Sequence, residues 1–234
     1  MQTIETPFKN AFISSIPVMA GYLFLGTAFG LVMNAHDFNL LFVLAMSIFV
    51  YAGSLQFVGV DLLVGGAVSF VAVALTSFMV NARHVFYGIS MLDRYKNAGK
   101  KKLYMIFALT DETYSLVCNG YRGDAKQEHN YYFFISLFNQ CYWVIGSVLG
   151  CLIGELLPFK IVGIDFALTA LFVTVFCDQW INSISHFSAV TGVFSSVLCL
   201  LIFGADRFLI PSMLLILTVL SVKKLLEGKK HEHD

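Results

Sequence analysis

Apolar runs, cut off by short polar segments, occupy almost the whole sequence. A membrane-spanning helix needs about 20 mostly apolar residues. By that rule the runs are Ala11–Met33, Leu40–Val60, Leu62–Val80, Leu103–Cys118, Tyr131–Ile153, Ile164–Ile181, Phe187–Phe203 and Phe208–Val222. The pattern predicts an all-α, polytopic helical membrane protein. It has seven or eight hydrophobic segments, some broken or re-entrant, in a single transmembrane domain over residues 1–234.

The polar segments carry the orientation signal. Met91–Lys102 holds Arg94, Lys96, Lys100, Lys101 and Lys102, and the tail holds Lys223, Lys224, Lys229 and Lys230. Positive-inside logic puts both on the cytoplasmic face. The five runs from Leu103 onward would carry the tail to the other face, so one run does not cross. Leu103–Cys118 is the candidate, being short and holding Asp111 and Glu112. There is also a faint recurrence: Gly26-x-x-x-Gly30 returns as Gly146-x-x-x-Gly150, 120 residues on. Small residues four apart let helices approach closely. Either packing alone or an internal repeat, as in many secondary transporters, accounts for it.

Composition narrows the class. The chain has 234 residues, 58% hydrophobic and 13% charged, with a mean hydropathy of +0.76. A soluble domain is about 45–50% apolar and about 25% charged. A soluble domain, a disordered chain and a disulfide scaffold are excluded. Fifteen basic residues balance fifteen acidic ones, leaving no excess for nucleic acid. The five cysteines form no C-x-x-C pair, so neither a disulfide nor a metal framework is expected. The opening MQTIETPFKNAF lacks a basic n-region and cleavage site, so the first run is expected to remain in the mature protein.

Polar groups inside apolar runs cost roughly 2.5–3.5 kcal/mol each on insertion scales and normally face a cavity, a partner or a pathway. In Tyr51-Ala-Gly53-Ser54-Leu-Gln56-Phe57, the glycine and serine weaken the helix at mid-membrane. Loosened backbone there lines a cavity or is covered by protein. Gln56 either bonds a neighbouring helix or meets a polar substrate. In Asn81-Ala-Arg83-His84, the guanidinium offers a fork for a carboxylate. Alternatively, Arg83 snorkels to the interface. His84 falls one helical turn beyond Asn81, and Tyr87 one turn beyond Arg83.

Asp111-Glu112-Thr-Tyr114 is the strongest signal, two adjacent carboxylates in an apolar run. Low dielectric favours the neutral form of a carboxyl, so such a group suits proton uptake and release. A structural pairing with Arg83 is the alternative. Asp165 is read as a helix N-cap or a proton-handling group, and Trp180 as an interfacial belt residue. Asn139 and Gln140 bring polar groups without evident chemistry.

Taken in order, Gly26-Thr-Ala-Phe29-Gly30, Tyr51-Ala-Gly53-Ser54-Leu-Gln56-Phe57, Asn81-Ala-Arg83-His84, Asp111-Glu112-Thr-Tyr114 and Asp165-Phe166-Ala167-Leu168 resemble the AzlC family. These are large subunits of bacterial branched-chain amino acid exporters. The resemblance runs from about Phe12 to Val222. It implies a multi-pass protein of the bacterial inner membrane, exporting leucine, isoleucine, valine and sometimes methionine or analogues. It further implies coupling to protons, no cofactor, and a small hydrophobic AzlD-like subunit as partner.

On this reading Arg83, with Asn81, takes the substrate carboxylate. His84, Tyr114, Gln56 and the backbone at Gly53 and Ser54 complete the substrate site, and Phe57 and Phe86 wall the branched side chain. Asp111, Glu112 and Asp165 handle the ammonium or the proton. The glycine-rich first run is the expected docking surface for the small subunit. Two rivals stay open: an intramembrane enzyme using His84, Asp111 and Glu112, and a passive channel or structural membrane subunit. No H-E-x-x-H or G-x-S-x-G motif supports the enzyme.

Overall fold

The computed structural model describes residues 6–65, 69–121, 123–156, 166, 169–170, 173, 176–177, 180–181, 185–204 and 208–230. Its contacts fall into two units, Met1–Leu168 and Thr169–Asp234. The regular structure of the described residues is helical throughout. Asp165, expected as an N-cap or a proton-handling group, lies outside the described residues.

Two long helices form the spine of the first unit. Helix α1 spans Pro7–Ala35 and α8 spans Glu128–Leu156, 29 residues each. At 1.5 Å per residue each is about 43 Å long, more than the roughly 30 Å hydrocarbon core. Thr6 is extended and Pro7 opens α1, where a missing N–H costs nothing.

The two helices run side by side in the same direction, as a ladder of contacts shows. Phe8 meets Phe134 edge-on at 5.3 Å, Ser15 Oγ lies 3.1 Å from Tyr142 Oη, and Tyr22 meets Trp143 at 5.5 Å. At the crossing the two glycine pairs face each other. A Cβ on Gly30 would sit 2.0 Å from the Ser147 carbonyl oxygen, and one on Gly150 2.0 Å from that of Thr27. Only glycine allows this backbone-on-backbone approach. Of the glycines expected to form a docking surface, Gly26 and Gly30 face α8, whereas Gly21 has open space around it.

The next two apolar runs are cut differently from the sequence expectation. Leu40–Val60 contains a break, with α2 at Leu40–Phe49 and α3 at Gly53–Val64. The interruption is Val50–Ala52, where Tyr51 takes a left-handed φ of 36°. Gly53 and Ser54, expected to be the loosened backbone, instead open α3. Asn39 caps α2 through its side chain. Helix α2 sets out from the C-terminal end of α1, where Phe38 N–H donates to Met33 O. It descends until Ile48 O accepts from Gln140 of α8 at 3.0 Å. Helix α3 turns back. Gly53 lies against the Trp143 ring and Phe57 packs on Phe29 at 5.6 Å. The pair is a hairpin inserted from the C-terminal end of the spine.

Leu103–Cys118 forms a second hairpin, from the opposite end. It comprises α6, Lys101–Phe107, and α7, Asp111–Val117, broken at Ala108–Thr110. Lys101 at its start bonds Asn130 in the first turn of α8. Just past its end, Tyr121 stacks on Tyr131 at 4.5 Å and its N–H reaches Glu128. Entry and exit share one end of α8, while the middle reaches Asn139, about 16 Å further along that helix.

Between the hairpins, α4 (Phe70–Val80) and α5 (Ala82–Met91) are joined at Asn81. The polar loop after α5 is tied to the start of α8: Arg94 donates to Tyr132 Oη at 3.2 Å and pairs with Glu128 at 3.6 Å.

The second unit contains α9 (Phe187–Phe203) and α10 (Leu209–Lys230). Trp180 stacks on His186 at 4.2 Å, and Lys223 Nζ lies 4.0 Å from the Phe187 ring centre. An apolar groove of about 770 Å³ runs between Phe176 and Trp180 on one side and Val190, Val193 and Phe194 on the other.

Candidate functional site

The two hairpin tips approach each other in the middle of the first unit, with Tyr51 and Phe107 ring centres 6.3 Å apart. Each tip carries the start of a helix. Thr110 caps α7, accepting from Thr113 N–H at 3.3 Å, whereas Ala52 offers α3 no side-chain cap. The positive end of α3 is therefore open.

Arg83, in the first turn of α5, bridges the tips. One guanidinium nitrogen lies 2.7 Å from Asp111 Oδ2, and another donates to Ser54 Oγ at 3.1 Å. Of the two neighbouring acids, Asp111 is thus the one that pairs with Arg83. Glu112 turns away toward α1, where Tyr22 Oη donates to its Oε2 at 2.6 Å. Tyr22 also lies 2.7 Å from Thr110 Oγ1. Adjacent residues of a helix start point in different directions, so one carboxylate serves α5 and the other α1.

His84 sits beside the ion pair. Its Nδ1 is 3.2 Å from the Asn81 carbonyl oxygen, and its Nε2 is 4.0 Å from Asp111 Oδ1. That Oδ1 is buried and accepts no hydrogen bond. Tyr87 stacks on Tyr114 at 4.6 Å, fixing α5 against α7.

A cavity of about 380 Å³ opens between the tips. It is lined by Val50, Tyr51 and Ala52 from the first tip, Asn81, His84, Val85 and Gly88 from α5 and its start, and Ile106, Phe107 and Leu109 from the second hairpin. Two residues expected to wall it do not. Phe57 is buried in the core against Phe29, and Phe86 is 61% exposed on the far side of its helix. The apolar wall is made by Val50, Val85, Ile106, Phe107 and Leu109 instead.

The structure brings together Ser54, Asn81, Arg83, His84, Asp111 and Tyr114, with Gly53 beside them at the start of α3. Gln56 stands apart. It is fully buried with both amide atoms unpaired, and it does not line the cavity.

Sequence reasoning missed Tyr22. The signal was present, since Tyr22, Gly26 and Gly30 fall on one face of α1. It also left Asn139 and Gln140 without a task. Asn139 Nδ2 donates to Thr113 at 3.0 Å, while Gln140 accepts from Tyr104 at 2.6 Å and donates to Ile48 O. These neighbours on α8 hold both hairpins in place.

Residues 17–157 match the family model of the AzlC protein. Among curated relatives, the chain is 44% identical to the "Branched-chain amino acid transport protein AzlC" of Bacillus subtilis, over 94% of this chain and 86% of that one. It is 39% identical to an "Uncharacterized membrane protein" of Haemophilus influenzae, covering 92% and 88%. It is 30% identical to "Inner membrane protein YgaZ" of Escherichia coli, covering 71% of each. No solved structure matches the chain.

Proposed function

The chain belongs to the AzlC protein family, and from that premise we propose that it exports branched-chain amino acids, driven by the proton gradient. It works in the bacterial inner membrane with a small hydrophobic AzlD-like subunit. The name of the Bacillus subtilis relative supports the substrate class. The observation that carries the reading within this chain is the Arg83–Asp111 pair between two hairpin tips, beside the cavity.

A free amino acid brings a carboxylate, an ammonium and a side chain. Arg83, with Asn81 and the open start of α3, receives the carboxylate. Asp111 or Glu112 receives the ammonium, and Val85, Ile106 and Phe107 receive the branched group. A cavity near the small end of the range of about 300–1,000 Å³ suits a ligand of this size. With no substrate present, Arg83 and Asp111 neutralise each other. Substrate inserts its own two charges between them. A proton and an ammonium each neutralise the same carboxylate, so they exclude one another, which is the condition for antiport. The α2–α3 and α6–α7 hairpins each enter and leave on one side, so that α1 and α8 cross in the same direction. The two glycine pairs then occupy matching places in two parallel repeats.

Leucine counterflow in proteoliposomes, with and without a small partner subunit, is the test. Asp111→Asn and Glu112→Gln are expected to reduce transport driven by a pH gradient, at least one of them about tenfold, equivalent to roughly 1.4 kcal/mol. Wild-type rates in both variants end the coupling scheme. Arg83→Lys keeps the charge and loses the fork. Its half-saturating leucine concentration should rise about tenfold or more, since a charge-assisted bond contributes roughly 1.5–3 kcal/mol.

A further inference from the structure

We infer that His84 is the residue on which the proton rides, and that Asp111 Oδ1 is the atom for which the protonated imidazole and the substrate ammonium compete. This rests on the transporter reading above and names the proton carrier within that site.

The argument starts from hydrogen-bond capacity. The Asn81 carbonyl oxygen can only accept, so His84 Nδ1, 3.2 Å away, must carry a hydrogen. In the neutral ring Nε2 then presents a lone pair. Facing it at 4.0 Å is Asp111 Oδ1, also an acceptor, buried and without a donor. Neutral imidazole and ionised carboxylate therefore face each other with no hydrogen between them. A proton on Nε2 supplies the missing donor and turns the contact into an ion pair. The other carboxylate oxygen, Oδ2, is already held by Arg83 at 2.7 Å. One free acceptor atom thus remains, and it faces one titratable nitrogen.

The charged and titratable surroundings are few. Arg83 and Tyr87 stand on the same helix as His84, and Asp111, Glu112 and Tyr114 on α7. Tyr51 comes from the opposing tip, while the α6 residues lining the cavity are apolar. An imidazole can bind and release a proton without covalent change, which suits a carrier. His84 lines the cavity and Asp111 Oδ1 lies buried behind it, so an ammonium entering from the cavity meets this ring first. A cationic ring repels that ammonium and occupies its acceptor. Substrate arrival expels the proton from Nε2, and proton arrival expels the substrate. Beside the constant Arg83–Asp111 pair, one proton leaves as one zwitterionic substrate enters, so the site changes by one positive charge per exchange.

The experiment has two arms on the full-length protein. The first uses the detergent-solubilised protein with isotope-labelled histidine. Near pH 6, saturating leucine should convert one imidazole from the cationic to the neutral form, with its hydrogen on Nδ1, and that resonance should be missing from His84→Asn. If no imidazole changes state, or if the responding resonance survives in His84→Asn, the inference is overturned. The second arm is leucine counterflow in proteoliposomes. The wild-type half-saturating concentration should rise on acidification, by up to about tenfold per pH unit, the slope of one competing proton. In His84→Asn and His84→Gln, whatever rate remains should lose that slope. A retained slope overturns the assignment. Should the wild type show no leucine exchange at all, the transporter reading itself fails and the inference falls with it. Exchange in the wild type with an unchanged slope in the variants removes the histidine alone.

Discussion

The hydroxyl of Tyr95 is buried where the polar loop meets the start of α8, and it finds no hydrogen-bond partner. Burial, reinforced by the neighbouring Tyr132 phenol, pushes its ionisation well above the usual tyrosine range. The folded state thus binds this proton more tightly than the unfolded chain, whose tyrosine ionises near pH 10. The stability linked to Tyr95 is complete below about pH 10 and is lost as the pH rises beyond it. Tyr95→Phe removes an unmet hydroxyl, so it should leave stability at pH 7 unchanged or raise it by about 1 kcal/mol. It should also flatten the alkaline loss above about pH 10. Thermal unfolding in detergent at both pH values checks this, and marked destabilisation at pH 7 contradicts it. Single residues such as Arg83 and Asp111 were legible in the sequence because charge in an apolar run is conspicuous. Their pairing was not, because which of two adjacent acids faces α5 depends on where a helix begins.

Helix α1 gives the cleanest test among the elements. Gly30 touches the backbone of α8, whereas Gly21 has open space around it. Gly30→Ala should force the helices apart and destabilise the protein by about 1–3 kcal/mol, the usual cost of overpacking. Gly21→Ala should be neutral or stabilise by up to about 1 kcal/mol, because alanine loses less entropy in a helix. Equal melting temperatures for the two variants would contradict the packing described. Both glycine pairs could be read from their spacing. That they meet each other could not, since periodicity reports a face and never its partner. The same limit applies to the α2–α3 break. Glycine and serine marked the region, but the turn formed one residue earlier, at Val50–Ala52, and put its left-handed φ on Tyr51. Strain of that kind costs on the order of 1–3 kcal/mol and persists where the surroundings fix it.

For the whole molecule, positive-inside logic puts the basic loop and the lysine-rich tail on the cytoplasmic face. Single cysteines in a cysteine-free background, Lys96→Cys and Glu227→Cys, should both react with an impermeant thiol reagent only in inside-out vesicles. Labelling of the tail alone from the outside would refute the arrangement. Apolar patterning was enough for an all-helical membrane protein, and the polar series was enough for the family. The opposition of two hairpins was not readable, because it rests on contacts between residues as distant as Ile48 and Gln140.

The parallel contact of α1 and α8 leaves no slack, since carbonyl and glycine carbon already touch. Whatever shape changes accompany turnover, that pair serves as a fixed ruler. Spectroscopic distance labels anchored there and on either hairpin would record each tip's travel separately, and would tell whether the two swing in alternation or together.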